Sequence, residues 1–270
     1  MNTLKRHHVS VSGTGGQAMV FVHGFGCDQH MWRLVAPAFE AQYQVVLLDL
    51  VGAGGSDLAA YQPARYATLA AHAEDVCEVL QTLHLHEVVF VGHSVSAMIG
   101  VLAAIREPAR FARLVLVAPS PYYLNEGPYT GGFEPHDIDD LLGAMDINYL
   151  GWTAAFAPVV MANPDQPALA AELANSFCRT NPDIARHFAD VTFRSDNRAD
   201  LPHVRTPSLI LQSARDLIAP LAVGYYMHEQ LPDSDLVVLD TTGHCPHLSA
   251  PQATIAAIRA YLRPTSHLPT

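Results

Sequence analysis

Lysine is almost missing from this chain: Lys5 stands alone, and the other basic residues are arginine. Positive charge is short overall, with 15 lysines and arginines against 26 aspartates and glutamates and a formal net charge of −11. Phosphate backbones and anionic lipid faces are bound by basic surfaces, so neither nucleic acid nor a membrane is an expected partner. Cysteine is scarce too. Cys27, Cys77, Cys178 and Cys245 are far apart, form no C-x-x-C pair and suggest no disulfide framework. Met1 to Gly16 is polar and lacks the apolar centre of a signal peptide. Residues 88 to 105 carry no formally charged side chain and are long enough to raise the question of a membrane span. Gly92-His93-Ser94 interrupts them, and the pattern changes there from strand to helix. Together these absences predict a reduced, cytoplasmic, soluble protein whose 270 residues bury their own core.

Two cofactor classes are missing as well. His84 and His86 have no carboxylate cluster beside them and read as turn histidines, so no metal is expected. Leu50 to Asp57 looks superficially like a dinucleotide loop. Asp57 occupies the place of the last glycine of G-x-G-x-x-G, and no apolar helical period follows at once. It reads as a surface loop, and no cofactor is expected.

What is present centres on Val88-Val89-Phe90-Val91-Gly92-His93-Ser94-Val95-Ser96-Ala97-Met98-Ile99-Gly100. The β-branched run predicts a buried parallel strand, and Ala97 to Ile105 predicts a buried helix. A sharp strand-to-helix turn exposes Ser94 at the carboxyl end of the sheet, facing the free N–H groups of a helix N-terminus. This is the arrangement of a nucleophile elbow, although Ser96 replaces the last glycine of G-x-S-x-G.

Around it, strands are expected at His8–Ser12, Ala18–Val22, Val45–Asp49, Arg113–Ala118, Pro207–Gln212 and Leu236–Leu239. Core helices are expected at Leu69–Leu83, Pro220–Gln230 and Pro251–Leu262, with a frayed tail from Pro264. From Pro121 to about Asp196 the strand–helix alternation stops. Four helical patterns follow instead, Asp137–Tyr149, Trp152–Met161, Ala168–Cys178 and Pro182–Phe193, with Asn181-Pro182 as N-cap and first helical residue. The expected organisation is a mostly parallel α/β core over 1–121 and 198–270, interrupted by a helical cap over 122–197.

Three polar residues each follow a strand: Ser94, Asp216 and His244. That chain order, nucleophile, acid, histidine, is the one an α/β-hydrolase fold requires. His244 would take the serine proton, and Asp216 would hold the imidazole tautomer. Asp240 is the alternative acid, disfavoured because it ends the neighbouring strand. The oxyanion candidates are the backbone N–H groups of Phe25, in His23-Gly24-Phe25-Gly26, and of Val95. Phe25, Trp152, Phe156 and Phe193 are the candidate pocket residues, and at least two of the four are expected to line it. Cys27 and Cys245 read as small packing residues.

Several segments narrow the family: Gly24-Phe25-Gly26-Cys27-Asp28-Gln29, Asp49-Leu50-Val51-Gly52-Ala53-Gly54, the elbow with its Ser96, Gly131-Gly132-Phe133-Glu134, and Gly243-His244-Cys245-Pro246-His247-Leu248. Over nearly its whole length the chain resembles the RsbQ-type bacterial stress-regulatory hydrolases and the plant karrikin and strigolactone receptors. Asn148-Tyr149-Leu150-Gly151-Trp152 and Phe177-Cys178-Arg179-Thr180 look closest to the bacterial branch. The resemblance implies a V-shaped four-helix cap over a hydrophobic pocket, the triad Ser94, Asp216 and His244, and slow hydrolysis of a small apolar ester or lactone-like ligand. In the bacterial branch it also implies a regulatory partner protein, a phosphatase. Two functions follow: an esterase-like hydrolase, or a ligand-sensing regulator whose output is a protein contact. Carbon–carbon bond hydrolases and perhydrolases share the triad. A haloalkane dehalogenase would need a carboxylate where Ser94 stands.

Overall fold

The computed structural model describes residues 2–263. Seven strands form one sheet: β1 (Ser10–Ser12), β2 (Gln17–Val22), β3 (Tyr43–Leu48), β4 (Val88–His93), β5 (Phe111–Val117), β6 (Ser208–Arg215) and β7 (Ser234–Thr242), in the order β1-β3-β2-β4-β5-β6-β7. Only β1 runs antiparallel to its neighbour; every other pair is parallel. The helices are α1 (Thr3–Arg6), α2 (Leu69–Thr82), α3 (Val95–Arg106), α4 (Pro135–Ile147), α5 (Tyr149–Met161), α6 (Pro167–Arg179), α7 (Pro182–Arg194), α8 (Leu221–Gln230), α9 (Pro246–Ser249) and α10 (Pro251–Leu262).

The unbroken apolar runs of β2, β4 and β5 follow from a sheet covered on both faces. Alternate side chains go to opposite sides. Val20, Val22, Phe90, Leu114 and Leu116 pack against α2, α3 and α8. Met19, Phe21, Val89, Val91, Val115 and Val117 pack against Trp32, Phe39 and, on α10, Ile255 and Ile258. The helix α3 is buried on nearly every side, which is why its sequence shows no polar face.

Sequence and structure differ in places. β6 and β7 run beyond their apolar centres, because pairs such as Ser213↔Leu239 and Arg215↔Thr242 continue the ladder past the hydrophobic run. The stretch Leu50–Asp57, read as a surface loop, is instead largely buried, as is Asp49 before it: Leu50, Val51, Ala53 and Ser56 are all inside. Its centre is the Asp49 carboxylate, which accepts the N–H of Gln29 at 2.7 Å and of Gly55 at 2.8 Å and meets His8 Nδ1 at 2.8 Å. A polar loop can be buried when its own charge supplies the hydrogen bonds.

The helices α4 to α7 lie in sequence between β5 and β6. Their termini follow local chemistry. Glu134 and Asp137 form a reciprocal capping box at the start of α4. Asn148 ends α4 and caps α5 by accepting the Gly151 N–H at 3.0 Å, so the expected helix over Asp137–Tyr149 stops two residues early. Asn181 caps α7 through the N–H groups of Asp183 and Ile184, as expected. Their apolar faces share one cluster with Cys27, Tyr123, Ile218, Cys245 and Leu248, which lie around the carboxyl ends of the strands. The tail from Pro264 lies outside the described residues. Among the described residues no helix is long and apolar enough to cross a membrane.

Candidate active site

The chain passes from β4 to α3 in one residue, Ser94, which takes φ 55° and ψ −123°. A side-chain-bearing residue there costs on the order of 1–3 kcal/mol and needs surrounding structure to hold it. The Ser94 N–H donates to the Val117 carbonyl at 2.8 Å, fixing the elbow to β5. Ser96 adds a second tie: its hydroxyl donates to the His23 carbonyl, at the start of the loop that carries Phe25. The hydroxyl in the usual glycine position thus joins the two loops that surround the serine.

His244 Nε2 lies 2.7 Å from Ser94 Oγ, and its Nδ1 lies 2.7 Å from Asp216 Oδ2. The other carboxylate oxygen accepts the N–H of Ile218 at 2.8 Å and of Ala219 at 3.1 Å. All three side chains are buried. Because a carboxylate only accepts, Nδ1 must donate to it. Nε2 then keeps its lone pair for the serine O–H, the arrangement needed to pull off that proton. The alternative acid, Asp240, sits on β7 and is exposed. The N–H groups of Phe25 and Val95 have no acceptor among the described residues. Val95 opens α3, so its N–H is one that a helix leaves unpaired.

A narrow cavity of about 30 Å³ opens onto Ser94 and His244. Phe25, Phe156 and Phe193 line it, with Phe177, Val160, Leu173, Ile218, Cys27 and Cys245. Trp152, expected in the wall, is not there. It stacks behind the wall on Phe156 at 5.1 Å between centroids, with Tyr149 at 5.7 Å on its other side. One turn of α5 separates 152 from 156, and only the later residue reaches the cavity. Phe25 is the hub, with Trp152, Phe177, Phe188 and Phe193 all between 5.9 and 6.3 Å of its ring centre.

Of the lining residues that escaped the sequence reading, Phe177, Tyr123 and Thr192 are the most informative. Phe177 pairs with Leu173 at helical spacing on α6, a visible signal. Tyr123 places its hydroxyl 3.4 Å from Ser94 Oγ, and burial pushes its phenol up to about 12. Thr192, on α7, lines the cavity and has a buried hydroxyl without a partner. Nothing local distinguishes either of these from core residues.

The helical segment also holds the histidine loop. His244 N–H donates to the Val160 carbonyl at 2.9 Å, and Asn163 Nδ2 donates to the Thr242 carbonyl at 2.9 Å. Gly243 sits between them at φ 95°, where a Cβ would lie 1.9 Å from the Met161 carbonyl oxygen. Gly243→Ala therefore meets both a strained backbone and a backbone clash. We expect a loss of about 3 kcal/mol or more, read as a lowered urea midpoint, together with lowered turnover. An unchanged midpoint would refute the account.

The chain also buries histidines without a countercharge beside each ring. Burial lowers His72 and His247 to about 3 and holds His93 well below its ordinary value. The unfolded chain binds these protons near pH 6.5 and the folded chain does not. Stability is thus complete above pH 6.5 and falls as the pH drops toward 3, by about 1.4 kcal/mol per pH unit for each ring. The expected melting temperature is level from pH 8 to 6.5 and drops steeply by pH 5. A level profile down to pH 4 would contradict this.

With the geometry in hand, relatives are informative. The profile of the Alpha/beta hydrolase family matches residues 19–258. The chain is 40% identical over 257 residues to a karrikin insensitive 2 receptor of Petunia hybrida, with 95% of each chain covered. It is 42% identical over 250 residues to a strigolactone esterase of Pisum sativum, with 92% of this chain and 93% of the relative covered. A solved hydrolase structure from Oleispira antarctica superposes with a TM-score of 0.94 at 40% identity, covering 96% of both chains. The chain therefore belongs to the alpha/beta hydrolase family, as a relative of its karrikin receptors and strigolactone esterases.

Proposed function

We propose that this chain hydrolyses a small apolar ester or lactone through Ser94, His244 and Asp216. The observation that carries the reading is the continuous hydrogen-bonded chain from Asp216 through His244 to Ser94, 2.7 Å at each step, ending in an apolar cavity. The Ser94 proton passes to His244 Nε2 as Oγ attacks the carbonyl carbon. The oxyanion takes up the N–H groups of Phe25 and Val95. Collapse expels the alkoxide or enolate, which receives the proton from Nε2, and leaves an acyl-serine. Water then repeats the sequence and releases the acid. For a lactone, acyl and leaving groups are parts of one molecule.

The cavity supports the substrate class. Its wall is mostly aromatic and aliphatic, with no lysine, arginine, aspartate or glutamate among its lining residues. An ionised substrate would lose its hydration there without a countercharge. Tyr123 supplies a hydroxyl beside Ser94 that can orient a neutral oxygen-bearing ligand. Residues 122–197 act as the cap in this reading, closing the pocket from above and holding the His244 loop.

Intact-mass spectrometry after exposure to a serine-directed phosphonate tests the nucleophile. One adduct on Ser94, absent in His244→Ala, is the expected result; no adduct would overturn the mechanism. A strigolactone-like butenolide serves as the second probe. A lasting butenolide-derived adduct on the triad favours a ligand-sensing regulator, the reading suggested by the relatives named as receptors. Turnover of aryl ester with no such adduct favours a general small-ester hydrolase.

A further inference from the structure

Beside the cavity lies a second group of side chains that hydrolysis does not use. His93, Cys245 and His247 each offer one ligand atom, and these atoms lie within 4.8 Å of one another, all buried. His93 Nε2 meets the His244 carbonyl at 2.8 Å, so that nitrogen must carry the hydrogen. In the neutral ring Nδ1 is then a bare lone pair, and it has no partner. His247 lies 4.3 Å from the His93 ring and 4.7 Å from Trp32, centroid to centroid, and neither of its nitrogens has a partner. Buried polar atoms without partners are uncommon in folded proteins and call for a reason. His72 shares this lack, but it packs against Tyr66 and Phe188 and belongs to no such cluster.

We propose that His93 Nδ1, Cys245 Sγ and one ring nitrogen of His247 bind a single thiophilic divalent cation of the zinc class. Two imidazoles and a thiolate form the donor set that zinc prefers. The cluster contains no carboxylate, which disfavours magnesium and calcium. The His93 ring already has the outer support that metal-bound histidines use, an N–H donated to a backbone carbonyl. His93 and Cys245 both line the cavity, which gives the ion a way in. Tetrahedral coordination needs the donor atoms about 3.3–3.6 Å apart, so atoms separated by up to 4.8 Å close by as much as about 1.5 Å. The Cys245 S–H bond breaks as the sulfur–metal bond forms, its proton goes to solvent, and no electron changes hands. Affinity therefore rises with pH. Spacing along the chain concealed the site, since His93 lies far from the other two residues in sequence.

Cobalt(II) titration of the chelator-washed full chain tests the site, because thiolate-bound cobalt absorbs in the near ultraviolet. One equivalent should develop the band, and zinc should erase it. Cys245→Ser should abolish the band, His247→Gln should weaken binding at least tenfold, and His244→Ala and Cys27→Ser should leave the band intact. Circular dichroism checks each variant, and Cys245→Ala replaces any that fails to fold. No band in the parent chain, a band that survives loss of Cys245, or one that requires His244 or Cys27 would overturn the proposal. The readout is independent of turnover, so its failure is separable from failure of the hydrolase reading.

Discussion

Ser94→Ala should lower turnover of a generic aryl ester by roughly 10⁴–10⁶-fold, as expected when the nucleophile of a triad is removed. The change deletes one oxygen atom. Its hydrogen bond to His244 and its contact with Tyr123 disappear, while the backbone bond from Ser94 to Val117 remains. Alanine pays the same backbone strain at φ 55° as serine does. A single neutral hydrogen bond is worth about 1 kcal/mol, so the melting temperature should move by only a few degrees. Binding of an apolar non-reactive ligand should persist, because the aromatic wall is untouched. Residual activity would come from the oxyanion donors and the pocket alone. Turnover within tenfold of the parent, in a sample shown to be free of contaminating esterase, would remove Ser94 from the mechanism.

The fold was legible because its signals are local and repeated. Each central strand is an apolar run, and Asn181-Pro182 marks the start of its helix without help from neighbours. That Ser94, Asp216 and His244 meet was legible for a related reason: each follows a strand, and parallel strands gather their carboxyl ends on one edge. Features that depend on three-dimensional packing were not legible. Trp152 and Phe156 are one helical turn apart, and which one reaches the cavity depends on how α5 rotates against α6. Tyr123 lies in an irregular segment with no period to orient it. The Asp49 loop has the glycines of a surface turn, yet a buried carboxylate turns it inward. The meeting of His93 with Cys245 and His247 results from the β4 elbow and the loop after β7 lying side by side.

Asp216→Asn is expected to lower turnover by about 10⁴-fold while leaving the fold and the pocket in place. One carboxylate oxygen, Oδ1, is held by the N–H groups of Ile218 and Ala219. An amide keeps those two bonds by placing its own oxygen there, which turns its NH₂ toward His244 Nδ1. Two donors cannot share that contact, so Nδ1 must become the acceptor and the imidazole proton moves to Nε2. Nε2 then points a hydrogen at Ser94 instead of a lone pair, and the serine proton has nowhere to go. Labelling of Ser94 by a phosphonate should slow in parallel, since it needs the same proton transfer, whereas affinity for an inert apolar ligand should not change. Asp240→Asn is the matched control. That side chain is exposed on β7, and its loss should leave turnover within twofold of the parent. If Asp240→Asn proved the more damaging change, the acid of the triad would have to be reassigned. If neither mattered, His244 would be working without an oriented tautomer, contrary to the 2.7 Å contact that Asp216 makes with its Nδ1.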